Sequence, residues 1–168
     1  MIDKINLWLA RLSSLVAGIA IVLMTIVAFV DVIGRKLNHP LDGAEEYVSL
    51  MLLIFFFAAL PLVVRDDSHI RVGLLSDLYR PLAIRIEKYF TCLVELLSLG
   101  VLTYMIFDQA DRLARFGTLS VHFLLPMAPW VLLAAIFTAI ATWFMAQVAL
   151  DVLRGREVQS SSHHDKAE

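Results

Sequence analysis

Four long apolar runs limit the folds open to this chain more than any other feature. They cover residues 12–30, 47–64, 89–107 and 129–150, and Glu95 is the one charged residue within them. A helix needs about 20 apolar residues to cross a bilayer, and the runs lack the alternation of a membrane strand. Too little polar sequence remains to cover four such helices in water. We therefore predict an all-α, integral membrane four-helix bundle.

The composition agrees with a membrane protein and excludes several other classes. Hydrophobic residues make up 60% of the chain and charged residues 18%, against about a quarter charged in soluble proteins. The net charge of -2 gives no basic surface for a nucleic-acid partner. Cys92 is the single cysteine, so an internal disulfide and a thiolate zinc site are excluded.

The distribution of Lys and Arg predicts the orientation of the spans. We place the spans at about residues 12–34, 44–64, 82–116 and 129–153, within one membrane domain of residues 1–158. Ten Lys and Arg residues fall on the side of the two termini and four on the other side. Because cytoplasmic loops are enriched in these residues, both termini are predicted to be cytoplasmic. The polar tail, residues 159–168, is expected to be disordered.

The connection between the first two spans carries a cluster of charges. Asp31 precedes Arg35 by one helical turn, so the two side chains can pair; Glu46 is the alternative partner. Glu45 and Glu46 open the second span, where the helix dipole favours acidic residues. Asp42, three residues before Glu45, resembles a capping box. The cluster either positions the helix ends at the membrane rim or forms a docking surface for a partner outside the membrane.

Two further segments have an amphipathic character. Residues 65–88 mix charged residues with apolar residues at helix-like intervals, which suits a segment lying in the cytoplasmic interface. The opening residues, 2–9, show a similar pattern on a smaller scale. We predict interfacial segments at both places.

Polar residues inside the spans offer two more candidates. Glu95 lies about a third of the way into the third span, where a carboxylate is costly and therefore a functional candidate. It either relays a proton or cation, or has a structural or inter-subunit role. The fourth span has a face of small residues, which permits close helix packing inside the bundle or against another subunit. That face comprises Ala135, Thr138, Ala139, Thr142 and Ala146.

No pattern in the sequence predicts a catalytic, cofactor or metal site. The five histidines lie outside the spans, so they are not placed to hold haem within the bundle. Paired Glu-x-x-His motifs of a di-iron centre and a glycine-rich phosphate loop do not occur. We therefore expect a protein that is not an enzyme and binds no cofactor.

Residues 34–75 resemble the small permease subunit, of DctQ type, of tripartite ATP-independent periplasmic (TRAP) transporters. That family shows an Arg at the end of the first span, a Pro soon after, a Glu-rich entry to the second span and a His-Ile-Arg-Val-like motif. The matching residues here are Arg35, Pro40, Glu45, Glu46, His69, Ile70, Arg71 and Val72.

The resemblance implies a supporting role in a bacterial inner membrane, among membrane lipids. The small subunit would form a heterodimer with a large permease subunit that carries the substrate and sodium sites. A periplasmic solute-binding protein would deliver an organic acid or a related anion. A docking or structural polar network is then expected from Asp31, Arg35, Glu45, Glu46, His69, Arg71 and Glu95.

Two alternatives of other classes remain open at this point. One is a small autonomous exporter that couples to protons through Glu95. The other is a membrane anchor of a redox complex, which would need haem or quinone ligands inside the spans.

Overall fold

The described part of the chain is almost entirely helical. A computed structural model describes residues 2–39, 41–67, 81–120 and 124–153. The helices are α1 (Ile2–Lys36), α2 (Ala44–Asp67), α3 (Pro81–Phe116) and α4 (Ala128–Leu153). All four are long and apolar enough to cross a membrane, and the described residues form no strand beyond an isolated bridge between Leu119 and Pro126. The predicted all-α membrane bundle is therefore confirmed.

Several sequence predictions fall on residues that are not described. His69, Arg71 and the tail of residues 159–168 lie outside the described ranges. The interfacial segment predicted after α2 falls mostly on residues 68–80, which are outside them as well.

The two longest helices extend beyond a simple span. α1 has 35 residues and starts at Ile2, so the opening segment is the first part of the membrane helix and not a separate interfacial turn. α3 has 36 residues and is about 54 Å long at 1.5 Å per residue. The hydrocarbon core is about 30 Å thick, so α3 must tilt or protrude from the bilayer.

The helices form an open row in the order α1, α2, α4, α3. α1 packs along α2, α2 along α4 and α4 along α3, while α1 meets α4 over a short stretch. Within the described residues, no backbone contact joins α3 to α1 or to α2. α1 and α3 are therefore edge helices, and α4 lies between two neighbours.

Burial follows this order. Each helix contains an apolar 18-residue stretch that could cross the membrane, here called its membrane window. In the membrane window of α3 none of the residues is buried, whereas the window of α4 has the largest buried share of the four helices. The most deeply buried positions of α4 are small: Ala134, Ala135, Thr138 and Ala141 are inaccessible to solvent. Small side chains allow neighbouring backbones to approach closely, so α4 can pack on both sides.

A seam of small residues joins α1 to the row. Ala10, Ser13, Ala17 and Ala20 are buried at alternating intervals of three and four residues, which puts them on one face of the helix. This face was not predicted from the sequence. Asp31 continues it towards the end of α1 and is also buried.

Three helices meet at one apolar cluster. Ala17 of α1, Ala58 of α2 and Phe137 of α4 are its buried members, and Phe55 and Phe57 pack against them. The three-phenylalanine run of α2 therefore supplies packing volume to the core through two of its rings, while Phe56 is exposed.

Polar side chains connect helices at two further points. The side-chain amides of Asn6 in α1 and Gln147 in α4 bond reciprocally: Asn6 Nδ2 donates to Gln147 Oε1, and Gln147 Nε2 donates to Asn6 Oδ1 at 3.2 Å. The hydroxyls of Thr103 in α3 and Thr142 in α4 are 2.8 Å apart. These bonds satisfy polar groups that would be costly to expose to lipid.

Candidate functional site

The end of α1 has the geometry of a Schellman motif. The His39 amide donates to the Gly34 carbonyl at 2.8 Å, and the Asn38 amide donates to the Arg35 carbonyl at 3.4 Å. Asn38 has a positive φ of 59°, which asparagine tolerates better than most residues. A side chain at Gly34 would collide with the His39 carbonyl oxygen, so glycine is required there for the chain to turn back.

Gly43 initiates α2. Its φ is 77°, and its carbonyl accepts hydrogen bonds from the amides of Glu46 at 3.0 Å and Tyr47 at 3.3 Å. Gly43 is therefore the N-cap, and the predicted capping role of Asp42 is wrong, because the helix begins one residue later than that pattern requires. Glu45 keeps its predicted place in the first turn.

Asp31 links the two helix ends. Its carboxylate accepts from Arg35 Nε at 2.8 Å and from the Leu41 amide at 3.3 Å. Arg35 Nη2 also lies 3.8 Å from Glu45 Oε1. Of the two predicted partners of Arg35, the structure places Asp31 against it, and it adds Glu45. The buried Asp31 carboxylate thus ties the end of α1 to the connection, and Arg35 reaches the first turn of α2.

Asp31, Arg35 and Glu45 form a charged cluster at the end of α1 and the start of α2, which is called the rim below. The outer part of this rim is open to solvent. The side chain of Glu45 is 90% exposed and that of Arg35 is 57% exposed, and His39 is exposed as well. The arrangement presents an acidic and a basic group together, which suits ionic contact with another protein. Among the described residues, no group of three or more His, Cys, Asp or Glu side chains could hold a metal ion.

The end of α3 repeats the design of the end of α1. The Thr118 amide donates to the Leu113 carbonyl at 3.2 Å, and the Gly117 amide donates to the Ala114 carbonyl at 3.3 Å. Gly117 has a positive φ of 58°, so this end is a second Schellman motif. Since α1 and α3 cross in the same direction in a chain with four spans, both motifs lie on the same side of the membrane.

Ion pairs line the last turns of α3. Arg112 Nε lies 2.8 Å from Asp108 Oδ2, and Arg115 Nη2 lies 2.6 Å from Asp111 Oδ2. All four side chains are well exposed. Exposed pairs of this kind contribute little to stability. Their charges are suited to an end of the helix that lies in water.

Glu95 lies at the contact between α3 and α4. It is half-buried and precedes by one turn Leu99, whose carbonyl is 3.2 Å from the Thr142 hydroxyl of α4. The Ser98 hydroxyl donates to the backbone carbonyl of Glu95 at 2.9 Å. The carboxylate is therefore on the inner face of an edge helix and not on its outer surface.

The small residues of α4 lie within the row. Ala135 and Thr138 are fully buried, and Ala139, Thr142 and Ala146 are half-buried. The Thr138 hydroxyl donates to the Ala134 carbonyl at 2.8 Å, so it needs no partner from another helix. Thr142 of this face contacts Thr103 of α3 through its hydroxyl.

Comparison with known proteins gives one family. The family described as "Tripartite ATP-independent periplasmic transporters, DctQ component" matches residues 24–155. This range includes α2, α3 and α4 completely and the last 13 residues of α1. Neither a curated protein nor a solved structure matches the chain.

Proposed function

This chain belongs to the DctQ family, the small membrane component of TRAP transporters, and we propose that it supports a large permease subunit in a bacterial inner membrane. Proteins of this family work with such a permease and with a periplasmic binding protein. The proposed cargo is an organic acid or a related anion, and the proposed driving force is a sodium gradient. The chain itself supplies no transport path in this proposal.

The exposure of α3 carries the proposal. This helix packs against α4 alone among the described helices, and no residue of its membrane window is buried. Its free surface includes Leu97, Val101 and Tyr104, with Thr91 and Ser98 along one side. Small and polar residues favour contact between membrane helices, so this surface suits a protein neighbour.

The other edge helix has a different outer surface. The face of α1 that points away from α2 carries Leu15, Ile19, Val22 and Ile26, all exposed, and the exposed Ser14, Gly18 and Thr25 lie along one side of it. α1 already has buried contacts within the chain, whereas the membrane window of α3 has no buried residue. We therefore propose that the large permease packs against α3, and that α1 faces lipid.

The rim between α1 and α2 is the proposed contact for the periplasmic binding protein. The orientation predicted from Lys and Arg puts this rim outside the cytoplasm. Arg35 and Glu45 are exposed there while Asp31 secures the backbone behind them. Charged rims of this kind steer association and select partners more than they add affinity.

Reconstitution tests the supporting role. The chain alone, the chain with the large permease of its system, and both with the binding protein are placed in separate proteoliposomes under an inward sodium gradient. We expect uptake of labelled carboxylates in the vesicles that contain all three components, and none with the chain alone. Accumulation of solute by the chain alone would overturn the proposal.

A charge reversal tests the rim separately. Changing Glu45 and Glu46 to Lys should raise the concentration of binding protein needed for half-maximal uptake, while membrane insertion is retained. Unchanged uptake kinetics would count against a docking role for the rim and would leave the supporting role intact.

A further inference from the structure

The outer face of α1 begins with two cations around a tryptophan. Lys4, Trp8 and Arg11 are spaced by four and three residues, so they lie on one face of the helix. All three side chains are exposed. Lys4 and Arg11 are about 10 Å apart along the helix axis, at 1.5 Å per residue.

Contacts on the opposite face determine where these residues point. Asn6 bonds to Gln147 of α4, and Ala10 and Ser13 are buried. These residues occupy the side of α1 opposite to Trp8, since one residue turns the helix by about 100°. Lys4, Trp8 and Arg11 therefore face away from the described helices.

The same face becomes mainly aliphatic and aromatic further along α1. Its large residues are exposed, no charged residue interrupts it before the end of the helix, and the exposed Gly18 lies at its edge. These large residues are Leu15, Val22, Ile26, Phe29 and Ile33. This stretch suits acyl chains, so the three residues before it lie at the depth of lipid headgroups.

We propose that Lys4, Trp8 and Arg11 bind the headgroup of an anionic phospholipid. The ammonium and guanidinium groups match a phosphate diester and a second negative charge. Their aliphatic stems can lie along the helix while the charges reach the headgroup. A tryptophan is stable at this depth because its ring is apolar and its N–H can donate to a headgroup oxygen. The proposal is independent of the transporter assignment.

Native mass spectrometry of the purified full-length chain can test the site. The chain is titrated with phosphatidylglycerol or with phosphatidylethanolamine of the same acyl chains. We expect tighter binding of phosphatidylglycerol, and a loss of about fivefold in its affinity for each cation removed in Lys4→Gln and Arg11→Gln, the scale of attraction of one basic residue for an anionic membrane. Trp8→Leu should weaken binding of both lipids.

The matched control removes two exposed cations from the other ends of the edge helices. Lys36→Gln with Arg115→Gln should leave the preference for phosphatidylglycerol unchanged, and the charge-conserving variant Lys4→Arg with Arg11→Lys should retain it. An equal loss of affinity in the variant Lys4→Gln with Arg11→Gln and in the control variant, or equal affinity for the two lipids, would overturn the proposal. Displacement of phosphatidylglycerol by the bound large permease would also overturn it, because the cations would then belong to a protein contact.

Discussion

The two edge helices are built alike at their ends and differ along their lengths. α1 and α3 have 35 and 36 residues, and each ends in a Schellman motif. Each also has an Asp–Arg pair one turn apart, with Nε and Oδ2 separated by 2.8 Å in both Asp31–Arg35 and Asp108–Arg112. The side chain of Asp31 is 13% exposed and that of Asp108 is 40% exposed. The same local sequence pattern therefore serves a buried link in one helix and a solvated end in the other.

The middle of each helix explains the difference. α1 presents small buried residues such as Ala10 and Ala17 to its neighbours, and its outer surface is mainly aliphatic, with Ser14, Gly18 and Thr25 exposed beside it. In α3 the membrane window contains no buried residue. An edge helix whose packing surface is used inside the chain can face lipid, whereas one whose membrane window remains unburied is suited to a partner.

The largest effect should come from filling the seam of α1. Ser13 is inaccessible to solvent, so Ser13→Leu should force α1 away from its neighbours and cost about 1–3 kcal/mol. Ser98→Leu, on the exposed surface of α3, is the matched control and should change stability little. Unfolding of the purified chain in detergent–SDS mixtures measures both. Equal stability of the two variants would mean that the seam does not hold α1.

A second matched pair compares the outer surfaces of the edge helices. Val101 of α3 is 57% exposed and Val22 of α1 is 56% exposed. Val101→Trp should lower recovery of the large permease on the tagged chain about tenfold, equivalent to ~1.4 kcal/mol, because a bulky ring prevents close helix approach. Val22→Trp should leave recovery unchanged, and the reverse pattern would assign the permease contact to α1.

A third comparison concerns the two Asp–Arg pairs. Asp31→Asn should cost about 1–2 kcal/mol, since a buried charge-assisted hydrogen bond is lost. Asp108→Asn should cost less than about 0.5 kcal/mol, as is usual for exposed pairs. The free energy of unfolding at low and high salt distinguishes them, because salt screens the exposed pair more strongly. Equal costs would show that burial of Asp31 does not matter.

The smallest effect is expected at Glu95. Glu95→Gln keeps the shape of the side chain, so uptake by the complete reconstituted system should stay within about twofold of the wild type at any pH between 6 and 8 if the residue is structural. Initial rates of carboxylate uptake provide the measurement. Abolished uptake would instead favour a proton- or cation-relay role for this carboxylate.

The four membrane-spanning helices could be predicted from the sequence, because a run of about 20 apolar residues has few stable structures other than a membrane helix. The order of the helices in the row could not, since hydropathy carries no information on which face meets which neighbour. The seam of Ala10, Ser13, Ala17 and Ala20 was nevertheless visible as small residues at intervals of three and four. The similar face of α4 was predicted from the sequence, and the face of α1 was not.

The sequence predicted which residues form the charged rim, but it did not predict how they contact one another. Asp31 and Arg35 were paired from their spacing alone, since residues four apart are neighbours on a helix. The bond from the Leu41 amide to Asp31 depends on the turn at Asn38, whose positive φ is not encoded in any charge pattern. The N-cap was misplaced because glycine at position 43 gives no side-chain signal comparable to that of Asp42.

The amide pair between Asn6 and Gln147 sets a constraint on biosynthesis. Its members are 141 positions apart in the chain, so at about 5–20 residues per second the second appears on the order of ten seconds after the first. During that interval the earliest helix sits in the bilayer with this amide dependent on water at the lipid edge. Completion of the row therefore waits for the last segment to leave the ribosome, and in a nascent chain halted before Gln147 the first helix can pack against α2 but lacks this amide bond.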